Sequence, residues 1–259
     1  MDTQDVLFAC ADGVCTLTIN REAARNALSP GVLAGLKAGL ERAQADASVR
    51  CIVLTGAGSR VFCAGADLGG LSGDGFLSAH EGRRQYGQLL LALQSVSKPT
   101  VARINGHVLA GGLGLVLACD LAVAVDSAGF GTPEIDRGLF PMMVIAFLQR
   151  HLGRKRALEL ALTGERITAE QALAWGLVNR VVKSEALDAT TTELAKKLGG
   201  KSLAVLALGR RSFFTAEDLP LGQAVEFLGG QLSINTLVED TAEGVTAFLE
   251  KRAPKWADR

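Results

Sequence analysis

Thr100-Val101-Ala102-Arg103-Ile104-Asn105-Gly106-His107-Val108-Leu109-Ala110-Gly111-Gly112-Leu113-Gly114 decides how this chain is read. An apolar run that suits a buried strand passes into a glycine-rich turn, then into an apolar stretch that suits a short helix. The same order occurs earlier, where Cys51-Ile52-Val53-Leu54 precedes Val61-Phe62-Cys63-Ala64-Gly65-Ala66-Asp67-Leu68. Small residues at a strand end let a ligand approach the backbone closely. A helix behind such a turn aims its free N–H groups and positive dipole end at whatever sits there. Two such turns facing each other grip one carbonyl oxygen from both sides and stabilise negative charge developing on it. A short way downstream, Gly131-Thr132-Pro133-Glu134 supplies a carboxylate as the candidate to move a proton. The trio predicts an enzyme acting on an activated carbonyl.

Around these turns the chain alternates between strand and helix signals. Val14-Cys15-Thr16-Leu17-Thr18-Ile19 alternates with period two and pairs with Asp5 to Cys10 as a hairpin across Ala11-Asp12-Gly13. Ser29-Pro30 caps a helix running to about Ala45. Strand 51–55, the first glycine turn, a glycine-rich loop at 69–75, a helix at 78–95 and strand 100–104 follow. The second turn, a helix ending near Cys119 and strand 120–125 complete an α/β half with buried strands. From Phe140 onward helices dominate, at 141–150, 154–162, 168–175, 185–198, 202–215 and 220–251, with one strand near 177–182. Thr168-Ala169-Glu170-Gln171 carries a capping-box pattern. Apolar side chains from Phe227 to Leu249 give the last helix a surface suited to a subunit interface.

Composition narrows the class. The chain has 259 residues, 48% apolar and 21% charged, enough for a well-buried core and against disorder. Lys+Arg and Asp+Glu total 27 each, which argues against a general nucleic-acid surface. No apolar run approaches the roughly 18 residues of a membrane span. Five cysteines, an odd number without a C-x-x-C pair, read as reduced thiols. With the acidic Met1-Asp2-Thr3-Gln4-Asp5 start, they lead to the expectation of a cytoplasmic protein.

Over essentially its full length the chain resembles the crotonase (enoyl-CoA hydratase/isomerase) superfamily. The resemblance is carried by Arg25-Asn26-Ala27-Leu28, Phe62 to Leu68, Asn105-Gly106 through Cys119-Asp120 and Phe130 to Glu134. Leu162-Thr163-Gly164, Gly176-Leu177-Val178-Asn179 and Ala247 to Arg252 extend it. It implies an α/β spiral of ββα units over residues 1–199, with a C-terminal helical trimerisation region over 200–259. It implies an acyl-CoA thioester substrate, no cofactor beyond the coenzyme A of that substrate, and homotrimers or hexamers built as dimers of trimers. By position, the N–H groups of Ala66 and Gly111 would form the oxyanion hole and Glu134 would be the acid/base. Coenzyme A would contact Ala24, Arg25, Ala64, Asp67 and Leu68. Phe248 and Lys251 would reach the nucleotide end of a neighbouring subunit's ligand.

Two departures from the family pattern matter. Typical hydratases carry a second catalytic glutamate on the helix after the second glycine turn, where this chain has Gly114. Many members have Pro-Gly-x-Gly where this chain has Phe140-Pro141-Met142-Met143, and pliable methionines there reshape an acyl pocket. Hydration needs a water held at the β-carbon and a proton delivered to the α-carbon, work that two carboxylates share. Moving a double bond from the 3- to the 2-position needs one base on one face. The expected activity is therefore of hydratase/isomerase type, with a 3-enoyl to 2-enoyl-CoA isomerase, or a CoA-ester-binding member with little catalysis, as alternatives. Asp136 is a weaker candidate for a second carboxylate. His107, Cys63, Trp175 and Trp256 read as structural, and Arg83-Arg84 and Arg210-Arg211 as solvated helix faces.

Overall fold

The computed structural model describes residues 4–67 and 75–259. The expected loop at 69–75 lies outside the described residues, save Gly75, which opens a helix.

β1 (Val6–Ala11) and β2 (Val14–Ile19) form an antiparallel hairpin with Ala11 opposite Val14. Asp12 and Gly13 between them take φ values of 50° and 75°, as a two-residue turn of right-handed strand twist requires. α1 (Pro30–Ala45) starts where the Ser29 hydroxyl accepts the Val32 N–H at 3.1 Å. It buries Val32, Leu33, Leu36, Leu40 and Ala43, one stripe of a 3.6-residue period.

Three consecutive units then repeat the same step. β3 (Cys51–Gly56) and β4 (Val61–Cys63) are followed by α2 (Gly75–Ser95). β5 (Thr100–Ile104) and β6 (His107–Leu109) are followed by α3 (Gly111–Ala118). β7 (Leu121–Val125) and β8 (Gly129–Gly131) lead to α4 (Met142–Thr163). The first strand of each unit enters one sheet, of order β1-β2-β3-β5-β7-β10 among the described residues. The second enters another, of order β4-β6-β8-β9. β3, β5 and β7 are parallel neighbours, as are β4, β6 and β8, so the chain advances one strand along both sheets per unit. This is the expected ββα spiral. The second sheet was not read from periodicity, because β4, β6 and β8 have three residues each.

Buried asparagines hold the two sheets in step. Asn105 donates to the Gly58 carbonyl at 2.9 Å and accepts from the Gly56 N–H at 3.2 Å. Asn26 donates to Ala57 and Val61 carbonyls at 3.0 and 2.7 Å and accepts from the Arg21 N–H at 3.1 Å. Both clamp the bend between β3 and β4 by pairing backbone groups that the strand ladders leave free.

The helical half follows. Gly153 (φ 68°, ψ 172°) breaks α4 between the two helices expected there. α5 (Ala169–Trp175) carries the capping box of Thr168 and Gln171. β10 (Arg180–Val182) adds to β7 and is shorter than the expected 177–182, because Gly176 and Leu177 still close the end of α5, the Leu177 N–H donating to the Ala172 carbonyl at 2.9 Å. α6 (Leu187–Gly199) and α7 (Leu203–Ala216) lead to α8 (Leu221–Asn235) and α9 (Glu239–Leu249). The expected single helix at 220–251 is therefore two. The break falls at Val238, whose ψ of 130° is extended, and the Thr241 hydroxyl donates to the freed Asn235 carbonyl at 2.7 Å. Arg210 on α7 is also not the solvated face expected. Its side chain is 11% exposed, pairs with Asp120 at 2.8 Å and donates to the Val96 and Leu93 carbonyls.

Candidate active site

Because β4, β6 and β8 are parallel neighbours, their C-terminal ends open side by side. Ala64-Gly65-Ala66 leaves the first, Ala110-Gly111 the second and Thr132-Pro133-Glu134 the third. The spiral thus brings Ala66, Gly111 and Glu134 together, although up to 68 positions separate them in sequence.

Ala66 is oriented by a short parallel bridge to Leu28. The Leu28 N–H donates to the Gly65 carbonyl at 2.8 Å, and its carbonyl accepts the Asp67 N–H at 3.1 Å. In extended chain alternate N–H groups point to opposite sides, so the Ala66 N–H points away from Leu28. It finds no acceptor among the described residues. Gly65, at φ 88°, packs on the other turn: a Cβ there would lie 2.5 Å from the Ala110 Cβ and 3.0 Å from the Gly111 nitrogen. Ala110 itself takes φ 51° and ψ −126°, a conformation that L side chains rarely adopt. Its N–H is spent on the Gly131 carbonyl at 2.9 Å. This strained link turns Gly111 into the first residue of α3, with its N–H free of an acceptor among the described residues. Two N–H groups left without an acceptor on neighbouring turns can both donate to one carbonyl oxygen.

Glu134 stands in a short 3-10 turn, Pro133–Arg137, anchored behind by the buried Thr132 hydroxyl donating to the Leu160 carbonyl at 2.7 Å. Its Oε2 is buried and lacks a hydrogen-bond partner among the described residues. Burial pushes its pKa above the ordinary 4.5, against the pull of its own backbone N–H and of Arg137. A desolvated, unpartnered carboxylate is costly unless it is used. Asp136 is exposed and lies beside Gly164, so it supplies no second carboxylate here.

The space opposite is occupied by a residue that sequence reasoning missed. A Cβ at Gly114 would run into the Tyr86 hydroxyl, which donates to the Gly111 carbonyl at 2.6 Å. Tyr86 is 7% exposed and shares its face of α2 with Leu89, Leu90 and Leu93. In sequence it is one more apolar position of an amphipathic helix, and only its hydroxyl sets it apart. Met143 approaches the same helix, its sulfur 3.7 Å from a Cβ placed at Gly87, whereas Met142 is 71% exposed.

The remaining candidates divide. Ala24, Arg25, Ala64 and Asp67 form one ledge beside the turns: the Ala64 N–H donates to the Arg25 carbonyl at 3.1 Å, and Asp67 pairs with Arg21 at 2.8 Å. Arg25 and Asn26 take positive φ values of 55° and 52°, which bend the chain back along β4. Leu68 lies outside the described residues. Phe248 and Lys251 are not part of the ledge. They are exposed on and just after α9, where Phe248 lines a cavity of about 540 Å³ with Val205, Leu249 and Trp256. His107 accepts the Gly129 N–H at 3.0 Å and staples β6 to β8. Burial pushes the Cys63 thiol up to about 12, far from a nucleophilic thiolate. No group of side chains suited to a metal ion occurs among the described residues, and none of their helices is long and apolar enough to cross a membrane.

Comparison with known proteins agrees with this fold. The family described as Enoyl-CoA hydratase/isomerase matches residues 10–259. The 2,3-dehydroadipyl-CoA hydratase of Escherichia coli K12 is 36% identical over 95% of this chain and 96% of its own. The mitochondrial enoyl-CoA hydratase domain-containing protein 3 of Rattus norvegicus is 35% identical over 95% of this chain and 82% of its own. The crystal structure of an enoyl-CoA hydratase from Bacillus anthracis superposes with a TM-score of 0.94 at 30% identity, covering 99% of this chain and 100% of that one. With the spiral, the two facing turns and the buried glutamate in place, the chain belongs to the enoyl-CoA hydratase/isomerase family, whose fold is that of the crotonases.

Proposed function

We propose that the chain isomerises a 3-enoyl-CoA thioester to the 2-enoyl form, with Glu134 as its acid–base group. The observation that carries this is the buried, unpartnered Oε2 of Glu134, together with Gly114 and a neutral phenol where a second carboxylate would stand. The thioester oxygen lies between the N–H groups of Ala66 and Gly111. Their hydrogen bonds strengthen as the oxygen becomes an oxyanion, so they lower the barrier to enolate formation. Glu134 removes a C2 proton, the electron pair spreads over a dienolate, and the same carboxyl returns the proton to C4. The double bond moves from C3–C4 to C2–C3, and no atom is gained or lost.

Coenzyme A runs along the ledge of Ala24, Arg25, Ala64 and Asp67, with Leu68 as a further contact. Phe248 and Lys251 are contributed by a neighbouring copy in a trimer or a hexamer. Support for self-association comes from α8, which buries none of its residues and exposes Leu221, Val225 and Leu232 at 63–81%. The chemistry calls for no cofactor beyond the coenzyme A of the substrate.

Hydration is the second reading, favoured by the hydratase names of the relatives. It adds a water proton to C2 and the hydroxyl to C3, with Glu134 alone holding the water. One assay separates the readings. A 3-enoyl-CoA gains enoyl absorbance on isomerisation, while crotonyl-CoA loses it on hydration. Faster gain than loss is expected; faster hydration puts the second reading first. Silence across a chain-length panel, with CoA-ester binding intact, returns the chain to a binding role.

A further inference from the structure

We propose that Tyr86 sets the balance between isomerisation and hydration, because its phenol occupies the volume a side chain at position 114 would need and so keeps a second carboxylate out of the site. This rests on Glu134 being the acid–base group.

Three observations place Tyr86 in that role. Its hydroxyl lies against the first turn of α3, where any Cβ at Gly114 would collide with it. Leu90 closes the same space from the next turn of α2, 3.5 Å from that Cβ. The hydroxyl proton is committed to the Gly111 carbonyl at 2.6 Å, the carbonyl of the residue whose N–H serves the oxyanion hole. The phenol is therefore plug and brace at once. It fills the space a side chain at position 114 would take, and its bond to the Gly111 carbonyl braces the turn that holds the thioester oxygen. Burial, with Cys63 and Glu134 nearby, raises the phenol pKa well above its ordinary 10, so Tyr86 stays neutral through the working pH range. With its proton committed, the neutral phenol supplies no second acid–base group, which favours a reaction in which one carboxylate moves one proton.

The test compares crotonyl-CoA hydration with 3-hexenoyl-CoA isomerisation in three proteins. Wild type sets the reference ratio, whichever reaction is faster. Paired with Tyr86→Ala, which clears the volume, Gly114→Glu supplies a second carboxylate. In that double variant the ratio of hydration to isomerisation should rise by about 10²-fold, the lower end of what one positioned acid–base group contributes. Tyr86→Phe keeps the volume and loses the brace. It should slow both reactions together and leave their ratio where it was, because only the orientation of Gly111 is relaxed. An unchanged ratio in a double variant that still binds CoA esters overturns the proposal. So does a ratio shifted by Tyr86→Phe alone, since the hydroxyl rather than the occupied volume would then be choosing the reaction. If wild type proves a better hydratase than isomerase, the functional reading fails, while the response of the ratio to the variants still decides the role of Tyr86.

Discussion

Gly65 and Ala110 face each other so closely that a Cβ on Gly65 would lie 2.5 Å from the Ala110 Cβ. This contact joins the two turns of the site. It holds the orphan N–H of Ala66 opposite that of Gly111, and a positive φ on both residues maintains it. The site is built from strained backbone rather than from a cluster of side chains, with one carboxylate set beside it. Strain of this kind persists where the surrounding structure over-determines it and where it serves the chemistry.

Ala110 gives the sharpest test of that view. Replacing it with glycine relieves a conformation that costs on the order of 1–3 kcal/mol, and gives back part of the gain by loosening the unfolded chain. Ala110→Gly should therefore lie within about 1 kcal/mol of wild type by chemical denaturation and keep its activity. Ala110→Val places a branched side chain at φ 51° against Gly65 and should lose roughly 2 kcal/mol or more, with activity falling alongside. Equal stabilities for the glycine and valine variants would show that the φ of Ala110 carries no strain.

Glu134→Gln keeps the shape of the side chain and removes the base. Turnover should fall by roughly 10²–10⁴-fold, the usual contribution of a general acid–base group, while the affinity for a CoA ester stays close to wild type. Paired kinetic and binding titrations check both halves. Near-normal turnover would sink the assignment of Glu134.

The pH profile follows from the same residue. Burial raises the Glu134 pKa above 4.5, and the catalytic form is the ionised one. kcat/KM should therefore fall as pH drops, with the acidic limb centred above the ordinary carboxylate value. The sign is fixed: protonation removes the base, so lowering pH can only reduce the rate on this limb. Glu134→Gln should abolish the limb in whatever residual activity remains. A limb centred at or below 4.5 would place the base in a solvated setting.

How much of this was legible in the chain depended on the kind of signal. The glycine turns at 64–66 and 110–112 announced themselves because tight backbone approach restricts residue choice, and Thr168 with Gln171 read as a cap because both halves of that motif are local. Glu134 stands out as a carboxylate just downstream of the turns, Ala66 and Gly111 are singled out by the family pattern, and the parallel ends of β4, β6 and β8 explain why the three meet. Tyr86 stayed hidden because its spacing is that of any core residue on α2, and its partner Gly111 is 25 positions away. The break between α8 and α9 was equally opaque. Leu237 and Val238 continue the apolar pattern, yet Val238 turns extended and the Thr241 hydroxyl takes up the Asn235 carbonyl, a break that periodicity does not register. Arg210 looked solvated beside Arg211, because a charge pair on a helix says nothing about which member finds Asp120.

Asn26 tests whether the site depends on the clamp between the two sheets. Its side chain is 1% exposed, makes three hydrogen bonds and sits at φ 52°, a conformation that asparagine tolerates better than most residues. Asn26→Ala takes away the donor to the half-buried Ala57 carbonyl and the acceptor of the Arg21 N–H, each costing about 1–3 kcal/mol when left unsatisfied, and leaves the Val61 carbonyl only the longer bond from Asn105 at 3.5 Å. Partial relaxation and water entry reduce the sum, so a net loss of about 3 kcal/mol is expected by urea denaturation. Activity per folded molecule should fall as well, because Asn26 lies two residues before Leu28, whose bridge aims the Ala66 N–H. Asn26→Asp keeps the acceptor for the Arg21 N–H but places an ionised carboxylate against the Ala57 and Val61 carbonyls, and should fare no better than alanine. A stable Asn26→Ala protein with unchanged kcat would mean that the Leu28 bridge holds Ala66 without the clamp.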